Sequence, residues 1–382
     1  MMIKKNYFQF LALFILITAC EKKTIYKEVQ VDGESLEVIF NKVEIEVPPY
    51  TIKKIIPLET TQNNLLSDDI VVKFSRDFLF VLDDGIKDAI HQFNFDGSYI
   101  KEIITVGEGP NQISNIYDFI VTEKNIEILS GKGGASEIIN ISVESGQITK
   151  KIKSEVIGFS FERIDDSYYL YSSYNLPHAT YRVSKINQKG ELLENYLKNE
   201  YSGLMYPMIE RNFFKSDDSV YLTESFNNEI YSVTSNGLKR MYNLNFENYN
   251  ISKDFWENDM MIGFEKLNNH GFYSILSHFE SPSLSLTRIV FQKENTSSSF
   301  HMIHYKNLGK IVNYKLYQDW HEVYKRPIGI DSSDNIIFSA SPFYLLENQE
   351  MLKNNSTINL EINNLNEQNN PVIIFTNLNP VD

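Results

Sequence analysis

The sequence predicts an all-β fold, and three observations support that expectation. From Leu36 onward, apolar residues occur in short runs rich in Ile, Val, Phe and Tyr, separated by Gly, Asn, Asp and Ser. Such runs are typical of strands joined by turns. A strand motif repeats along the chain, and glycines repeat in step with it. Helical periodicity is confined to two short stretches, Asp254 to Leu267 and Tyr317 to Tyr324.

The first residues are typical of an export signal. Lys4 and Lys5 precede an apolar run over residues 7–17, the order of charge and hydrophobicity found in signal peptides. A membrane-spanning helix needs about 20 apolar residues, so a cleaved signal over residues 1–19 is the better interpretation. Cleavage would remove both lysines and take the formal charge from −14 to −16.

The stretch Ile17-Thr18-Ala19-Cys20 resembles the bacterial lipobox, in which the cysteine receives a lipid before cleavage. The alternative is an ordinary secretory signal in which a cysteine happens to follow Ala19. We favour lipidation, because Cys20 is the only cysteine of the chain and lies where lipidation needs it. The expected location is the outer membrane or cell envelope, facing either the periplasm or the cell surface. A fold without disulfides must then be stabilised by its core and by closure.

Residues 20–35 are polar and are expected to form a flexible tether, whose roughly 15 residues would reach about 50 Å at ~3.3 Å each. Residues 36–382 are expected to form one domain, large enough to bury an extensive core. Nucleic acid and anionic headgroups are not expected partners, since the sequence contains no cluster of Lys and Arg. We expect a monomer whose acidity serves solubility.

The main evidence for the architecture is an internal repeat. A turn followed by an apolar, often aromatic strand occurs six times, at spacings of 47, 42, 52, 52 and 64 residues. A four-stranded propeller blade uses about 40 to 50 residues. The copies are Asp77–Val81, Lys124–Ile128, Asp166–Leu170, Asp218–Leu222, His270–Ser274 and Asp334–Phe338.

Glycines provide a second landmark with the same period. Gly97, Gly146, Gly190 and Gly237 are 49, 44 and 47 residues apart, each between two strand-like runs. They fit hairpins between the two outer strands of a blade, where glycine relieves a positive φ. The two landmarks together predict a six-bladed β-propeller of four-stranded antiparallel blades. Its N-terminal and C-terminal strands would share one blade.

The sequence resembles the six-bladed β-propeller lipoproteins that are abundant in Gram-negative gut-type bacteria and largely lack assigned functions. The resemblance rests on Ile56-Pro57-Leu58-Glu59-Thr60, on Phe93 to Gly97, on Gly107-Glu108-Gly109-Pro110 and on the final Asn370 to Phe375. It implies an NHL-like repeat and an envelope location, but no catalytic residue. Asn111-Gln112-Ile113 departs from the Gly-Glu-aromatic continuation that is usual in this family.

Several motifs have both a chemical and a structural interpretation. Gly107-Glu108-Gly109-Pro110 lacks the Lys-Ser/Thr ending of a phosphate-binding loop, so a turn between blades is expected. His301 and His304 would lie on opposite faces of one strand and could not share a metal ion; both are expected at the surface. Asp83-Asp84, Asp165-Asp166 and Asp217-Asp218 could direct carboxylates towards a divalent cation in the central channel, but we favour turn formation.

Aromatic residues in predicted loops are the candidate ligand contacts, because flat rings at a propeller mouth can stack on sugars or hold peptide side chains. The candidates are Tyr201, Tyr206, Trp256, Trp320 and Arg326. The expected function is a binding or interaction module for a glycan, a peptide or a partner protein. The alternative is a metal-dependent hydrolase or lyase at the central channel. No cofactor and no protein-bound metal site are predicted.

Overall fold

Six β-sheets form a ring, and each sheet is one blade. The computed structural model describes residues 25–31, 35–40, 49–83, 85, 88–109, 112–132, 134–174, 179–199, 210–216, 219–317, 322–349 and 362–378. In every blade the first strand lies innermost and contacts the first strand of a neighbouring blade. The prediction of an all-β, six-bladed propeller with four-stranded antiparallel blades is confirmed.

Three strands precede the first complete blade: β1 (Ile25–Tyr26), β2 (Leu36–Ile39) and β3 (Tyr50–Pro57). Blade 1 contains β4 (Ile70–Phe74), β5 (Phe78–Asp83), β6 (Ala89–Asn94) and β7 (Tyr99–Thr105). Blade 2 contains β8 (Asp118–Val121), β9 (Asn125–Lys132), β10 (Ala135–Ser142) and β11 (Ile148–Ser154). Blade 3 contains β12 (Ser160–Ile164), β13 (Ser167–Tyr171), β14 (Tyr181–Asn187) and β15 (Leu192–Lys198).

Blade 4 contains β16 (Phe213–Ser216), β17 (Ser219–Thr223), β18 (Glu229–Thr234) and β19 (Gly237–Asn245). Blade 5 contains β20 (Phe272–Glu280), β21 (Leu284–Lys293), β22 (Thr296–Tyr305) and β23 (Lys310–Leu316). Blade 6 contains β24 (Pro327–Ile330), β25 (Ile336–Ala340) and β26 (Val372–Leu378). The helices that lie wholly within the described residues are α1 (Lys253–Glu257), α2 (Met260–His270) and α3 (Pro342–Glu347), with short 3-10 helices at Glu247–Tyr249 and Lys306–Leu308.

The ring is closed by pairing the two ends of the domain. β3 runs antiparallel to β26 and becomes the outermost strand of blade 6, with Ile56 opposite Ile373 and Tyr50 opposite Leu378. The N-terminal and C-terminal strands therefore share one blade, as the sequence predicts. The core lies between blades, because both faces of each sheet are covered by neighbours. Buried Phe119, Tyr169 and Phe338 belong to three different interfaces.

The glycine landmark is also confirmed, and the structure adds a second reason for it. Gly97, Gly146, Gly190 and Gly237 all have positive φ angles, between 68° and 124°, where a side chain is strained. The hairpin of one blade also packs against the outer strand of the preceding blade. A Cβ on Gly190 would lie 1.8 Å from the carbonyl oxygen of Lys153 in blade 2.

One copy of the predicted repeat has a different place in its blade. Five copies are second strands, but His270–Ser274 leads into β20, the innermost strand of blade 5. Helices α1 and α2 lie before this strand, where the helical periodicity from Asp254 predicted them. Gly271 ends α2 with a φ of 94° and so imitates a strand-to-strand turn. Residues 322–324 are helical, within the second predicted helical stretch.

The expectation of a flexible tether over residues 20–35 is wrong for its described part. β1 pairs in parallel with β15, a bridge joins Gln30 to Lys239, and β2 pairs in parallel with β19. We call residues 25–31 and 35–40 the N-terminal strap. The polar composition of residues 20–35 suggested a tether. A strand held mainly by backbone hydrogen bonds needs few apolar residues, so composition does not reveal it.

The hairpin glycines allow a paired stability test. Gly190→Ala introduces both φ strain and a clash with Lys153, and is expected to lower the free energy of unfolding by roughly 2 to 4 kcal/mol. Gly309→Ala occupies the equivalent hairpin of blade 5, with a φ of 59° and no heavy atom within 4 Å of the added Cβ. It should cost only about 1 kcal/mol. Urea unfolding of both variants measures the difference, and equal losses would contradict the inter-blade contact.

Candidate ligand-binding site

Polar residues gather at one end of the central channel. Each inner strand starts its blade, so the residues at the starts of these strands meet at the same end of the ring. We call this end the mouth. Residues at or just before the start of an inner strand include Asp69, Asp118, Ser160, Asn212 and Arg326.

A cavity of about 210 Å³ lies at the mouth beside blade 6. Arg326 forms one wall, donates from Nη1 to the carbonyl oxygen of Asp68, and lies 3.1 Å from Oδ1 of Asp69. These contacts join blade 6 to blade 1. The cavity is lined by two acids, two cations and three hydroxyl groups. They belong to Asp68, Glu322, Lys325, Arg326, Ser339, Ser341 and Tyr344.

Ser339 contributes a buried hydroxyl to this cavity. The residue is 1% exposed, and its Oγ has no hydrogen-bond partner among the described residues. A buried hydroxyl without a partner has lost its hydrogen bonds to water and gained none in exchange. A ligand group with a donor or an acceptor would restore that hydrogen bond.

Arg288 is a second unpaired group: the charges of Arg326, Asp69 and Glu322 act on it, but it is not among the residues that line the cavity. It lies in β21 of blade 5, opposite Ser277 and His301. Its Nε is buried without a hydrogen-bond partner, and within the described ranges no acid forms an ion pair with it. Burial, and then the charge of Arg326, lower the pKa of the guanidinium to about 10, whereas Asp69 and Glu322 raise it. The group therefore stays charged at neutral pH without a direct counter-ion.

A second buried arginine shows how the fold treats a structural cation. Arg182 Nε lies 2.5 Å from Glu224 Oε1, and the guanidinium lies over the ring of Tyr174, 5.0 Å from its centroid. Burial alone would lower its pKa, but the carboxylate of Glu224 raises the pKa well above the ordinary value. Arg182 is thus neutralised within the protein, and Arg288 is not.

The interior of the channel carries further unpaired charge. Burial raises the pKa of Glu162, an effect that Lys73 and Lys215 oppose from blades 1 and 4. Glu162 accepts only the N–H of Arg163, at 3.0 Å, among the contacts described. Neither lysine makes a hydrogen bond or an ion pair with a residue in the described ranges. Lys73, Lys215 and Glu162 are therefore ionisable groups of the channel that form no ion pair among the described residues.

Glu280 forms a different kind of cluster, between blades 4 and 5. Its carboxylate accepts hydrogen bonds from Tyr221 at 2.9 Å and Lys306 at 2.6 Å, and lies 3.0 Å from His278 Nε2. Burial alone would raise the pKa of Glu280, but His278 and Lys306 lower it far below the ordinary value. Since its oxygens already have partners, this cluster stabilises the blade interface.

The predicted ligand contacts are only partly brought together. Arg326 lines the mouth cavity, and Trp256 is 7% exposed in an aromatic cluster, where its ring lies 4.6 Å from that of Tyr174. Trp256 therefore presents no free ring face for stacking. Tyr201, Tyr206, Trp320 and Cys20 lie outside the described residues. Arg288 was missed, although an arginine between the apolar runs of β21 is a visible anomaly in the sequence.

The two histidines do occupy opposite faces of β22, but the expectation of surface positions is wrong for His301. His301 is fully buried, bonded through Nδ1 to the hydroxyl of Tyr50 at 2.5 Å, and stacked on Phe338. His304 faces the other way and contacts the hydroxyl of Tyr242 at 3.2 Å. Closure by β3 buries His301, which a single strand in the sequence does not indicate.

The other motifs have structural contacts. Asp83, the last residue of β5, accepts a hydrogen bond from Ser67 Oγ at 2.6 Å and from the N–H of Gly85 two residues on, as expected for an acid that forms a turn. Gln112 accepts the N–H of Gly109 at 2.7 Å and so fixes the link between blades 1 and 2. Asp84, Asp217 and Asp218 are not among the described residues. Within the described ranges, no three His, Cys, Asp or Glu side chains form a group suited to a metal.

The buried carboxyls should respond oppositely to pH. The pKa of Glu162 is raised in the folded state, so its ionisation destabilises the fold as pH rises above about 4.5. Glu162→Gln should remove this loss of stability at higher pH. Glu280 has a lowered pKa, so its stabilisation is present above about 4.5 and is lost as pH falls. Glu280→Gln should therefore lower stability at neutral pH. Thermal unfolding across this window tests both signs, and a shift in the same direction for both variants would contradict the assignment.

Comparison with known proteins supports the fold. A crystal structure from Bacteroides fragilis described as "Putative exported protein" has a TM-score of 0.72 at 14% identity, covering 91% of this chain and 99% of that one. A structure of an uncharacterized protein from Listeria monocytogenes has a TM-score of 0.34 at 10% identity, covering 78% of this chain and 77% of that one. The likeness to the Bacteroides fragilis protein concerns the fold alone. No curated protein matches the sequence, and no described helix is long and apolar enough to cross a membrane.

A family model covers the part of the sequence that forms the ring. It matches residues 52–377, from the closing strand β3 to the end of β26. The match spans all six blades and most of the 382 residues. The chain therefore belongs to the family described as "Domain of unknown function (DUF4934)".

Proposed function

We propose that this protein is a cell-envelope lipoprotein whose propeller binds an anionic ligand at the mouth of its channel. One observation carries the choice of ligand: Arg288 is a charged guanidinium with a buried, unpaired Nε. Burial of an unpaired charge is costly. A carboxylate delivered by a ligand would relieve that cost and form a charge-assisted hydrogen bond.

The surroundings of Arg288 support an anion over a cation. Arg326 is already engaged by Asp69, and Glu322 lies 3.4 Å from Lys325. Asp69 and Glu322 therefore have direct cationic neighbours, whereas Arg288 has no direct acidic contact among the described side chains. Lys73 and Lys215 lie further along the channel. A carboxylate at Arg288 would pair with a cation that has no direct counter-ion, even though the whole chain has a charge of −14.

The size and the hydroxyls of the cavity favour a small recognition unit. About 210 Å³ is below the range of roughly 300 to 1,000 Å³ that is usual for drug-sized ligands. It suits one acidic sugar ring or one acidic peptide terminus. Ser339, Ser341 and Tyr344 would then bind neighbouring polar atoms. Glycan and peptide probes with and without a carboxylate distinguish an acidic sugar from an acidic peptide terminus.

The metal-dependent hydrolase or lyase stays a prediction without a supporting observation. Its distinguishing feature would be three or more converging ligands on the channel axis. The described channel carboxylates, Asp118 and Glu162, come from different blades, and Asp118 bonds to the backbone N–H of Phe161 at 3.2 Å. The anchor part of the proposal rests on the lipobox-like sequence at Cys20.

Replacing Arg288 separates ligand binding from stability. Arg288→Met removes the charge at similar length and should weaken binding about tenfold to a hundredfold, the loss of one charge-assisted hydrogen bond. Folding stability should stay equal or rise, because an unpaired buried cation does not stabilise the fold. The assay uses unlipidated Cys20→Ser protein on arrays of uronic-acid and neutral glycans and of peptides with free or amidated termini, followed by calorimetry of the hits.

Arg240→Met is the matched control. Arg240 lies on the outer edge of blade 4, paired with Glu229 and Glu37 at 2.8 Å each, and its loss should leave binding unchanged. Preference for neutral or amidated probes would contradict the anionic ligand. Binding that survives Arg288→Met, or a large loss of stability in that variant, would exclude Arg288 as the ligand contact.

The anchor is tested separately. Cys20→Ser should move the protein from the membrane fraction to the soluble fraction of the envelope, because the lipid supplies the attachment. Fatty-acid labelling of the wild type and the variant measures the modification directly. A wild-type protein without label, or a variant that stays with membranes after a salt wash, would contradict lipidation at Cys20.

A further inference from the structure

The N-terminal strap fixes where the chain reaches the ring. Backbone bonds run from Lys27 N to Asn195 O and from Phe40 N to Asn245 O, at 2.9 Å each. Lys27 Nζ also lies 2.7 Å from Glu194 Oε1. The strap therefore begins at the outer strand of blade 3 and continues across blade 4. Phe40 is 4% exposed and packs against Phe246, Tyr273 and Phe300, which secures its far end.

The strap leaves little free chain before it. Residues 21–24 alone separate Cys20 from Ile25, so five residue steps reach at most ~17 Å at about 3.3 Å each. A tether of the expected length would have let the propeller tumble far from a bilayer. With a lipid on Cys20, the outer edge of blade 3 must stay within about 17 Å of the membrane surface.

The strap and the strand beside it expose apolar side chains. Ile25, Tyr26 and Leu193 on blade 3 are exposed by 38% to 56%, and the strap residues at blade 4, Val31, Leu36 and Ile39, by 39% to 57%. An exposed edge strand with apolar side chains invites association with other chains unless something covers it. The acyl–headgroup boundary of a membrane is a suitable cover, because apolar and aromatic side chains are stabilised there.

Lysines lie beside this apolar edge. Lys150, Lys151 and Lys153 are exposed on β11, the outer strand of blade 2. The hairpin of blade 3 packs onto that strand, with Lys150 Nζ 3.3 Å from the carbonyl oxygen of Gln188, and adds exposed Lys189. The nearby acids are Glu137, 3.7 Å from Lys151, together with Glu155, Glu191 and Asp166, whose Oδ1 accepts a hydrogen bond from Gln188. Lysines and acids are therefore balanced here, and the apolar side chains and the short connection to Cys20 carry the inference.

We propose that the outer edge of blade 3, with the strap, lies against the bilayer that holds the lipid of Cys20. The inference rests on the proposed lipid anchor. The ring then stands edge-on to the membrane, and the channel axis runs roughly parallel to the bilayer. The mouth stays open to solvent at the side rather than facing the lipid.

The chain itself supplies a clean labelling strategy. If Cys20 carries the lipid, the wild type has no free thiol, and an introduced cysteine is the sole site for a maleimide dye. Leu193→Cys places the dye on the proposed membrane edge. Lys53→Cys is the control, because Lys53 is exposed on β3, the outer strand of blade 6, which lies opposite blade 3 in the ring.

Full-length lipidated protein is reconstituted into vesicles of phosphatidylcholine and phosphatidylglycerol that contain a nitroxide-labelled lipid. We expect loss of fluorescence for the Leu193→Cys dye and unchanged fluorescence for the Lys53→Cys dye. Vesicle-bound protein in which both dyes respond alike would overturn the edge-on placement while leaving the anchor intact. Wild-type protein that takes up dye at Cys20 and does not bind vesicles would overturn the anchor, and this inference with it.

Discussion

The pairing of β3 with β26 is the constraint on which the rest of the structure depends. It joins residues more than 300 positions apart and supplies the outer strand of blade 6. Tyr50 at the start of β3 also bonds to His301 of blade 5, so the closing strand secures a second blade. The mouth exists only in the closed ring, because the contact of Arg326 with Asp69 joins the last blade to the first.

Charges inside the ring divide into those that hold it together and those that have no direct partner. Arg182 with Glu224, and Glu280 with His278 and Lys306, are buried groups whose partners compensate for lost hydration. Arg288 and Glu162 have pKa values shifted in the direction that burial alone produces. Since this fold provides partners for Arg182 and Glu280, it could also have provided them for Arg288 and Glu162. Their lack of a direct partner at the channel therefore points to ligand binding.

The strap connects the fold to its proposed setting. Parallel pairing with the outer strands of blades 3 and 4 converts a polar leader into part of the ring. A lipid at Cys20 would then determine orientation as well as location, since few residues remain between it and the strap. Ligands of the mouth would reach it along the membrane surface, and polymers of the envelope would have access from the side.

The sequence by itself determined the blade count, the hairpin glycines, the closing strands and Arg326 as a candidate. These follow from local rules: a strand repeat of fixed length, a φ that only glycine adopts easily, and charge near a predicted loop. Only the tertiary structure decided that His301 and Trp256 are buried, that residues 25–31 are paired, and that Lys150 lies beside the hairpin of Lys189. Each depends on which blade faces which. Whether Arg288 finds an acid is likewise a property of two packed blades, and no local pattern encodes it.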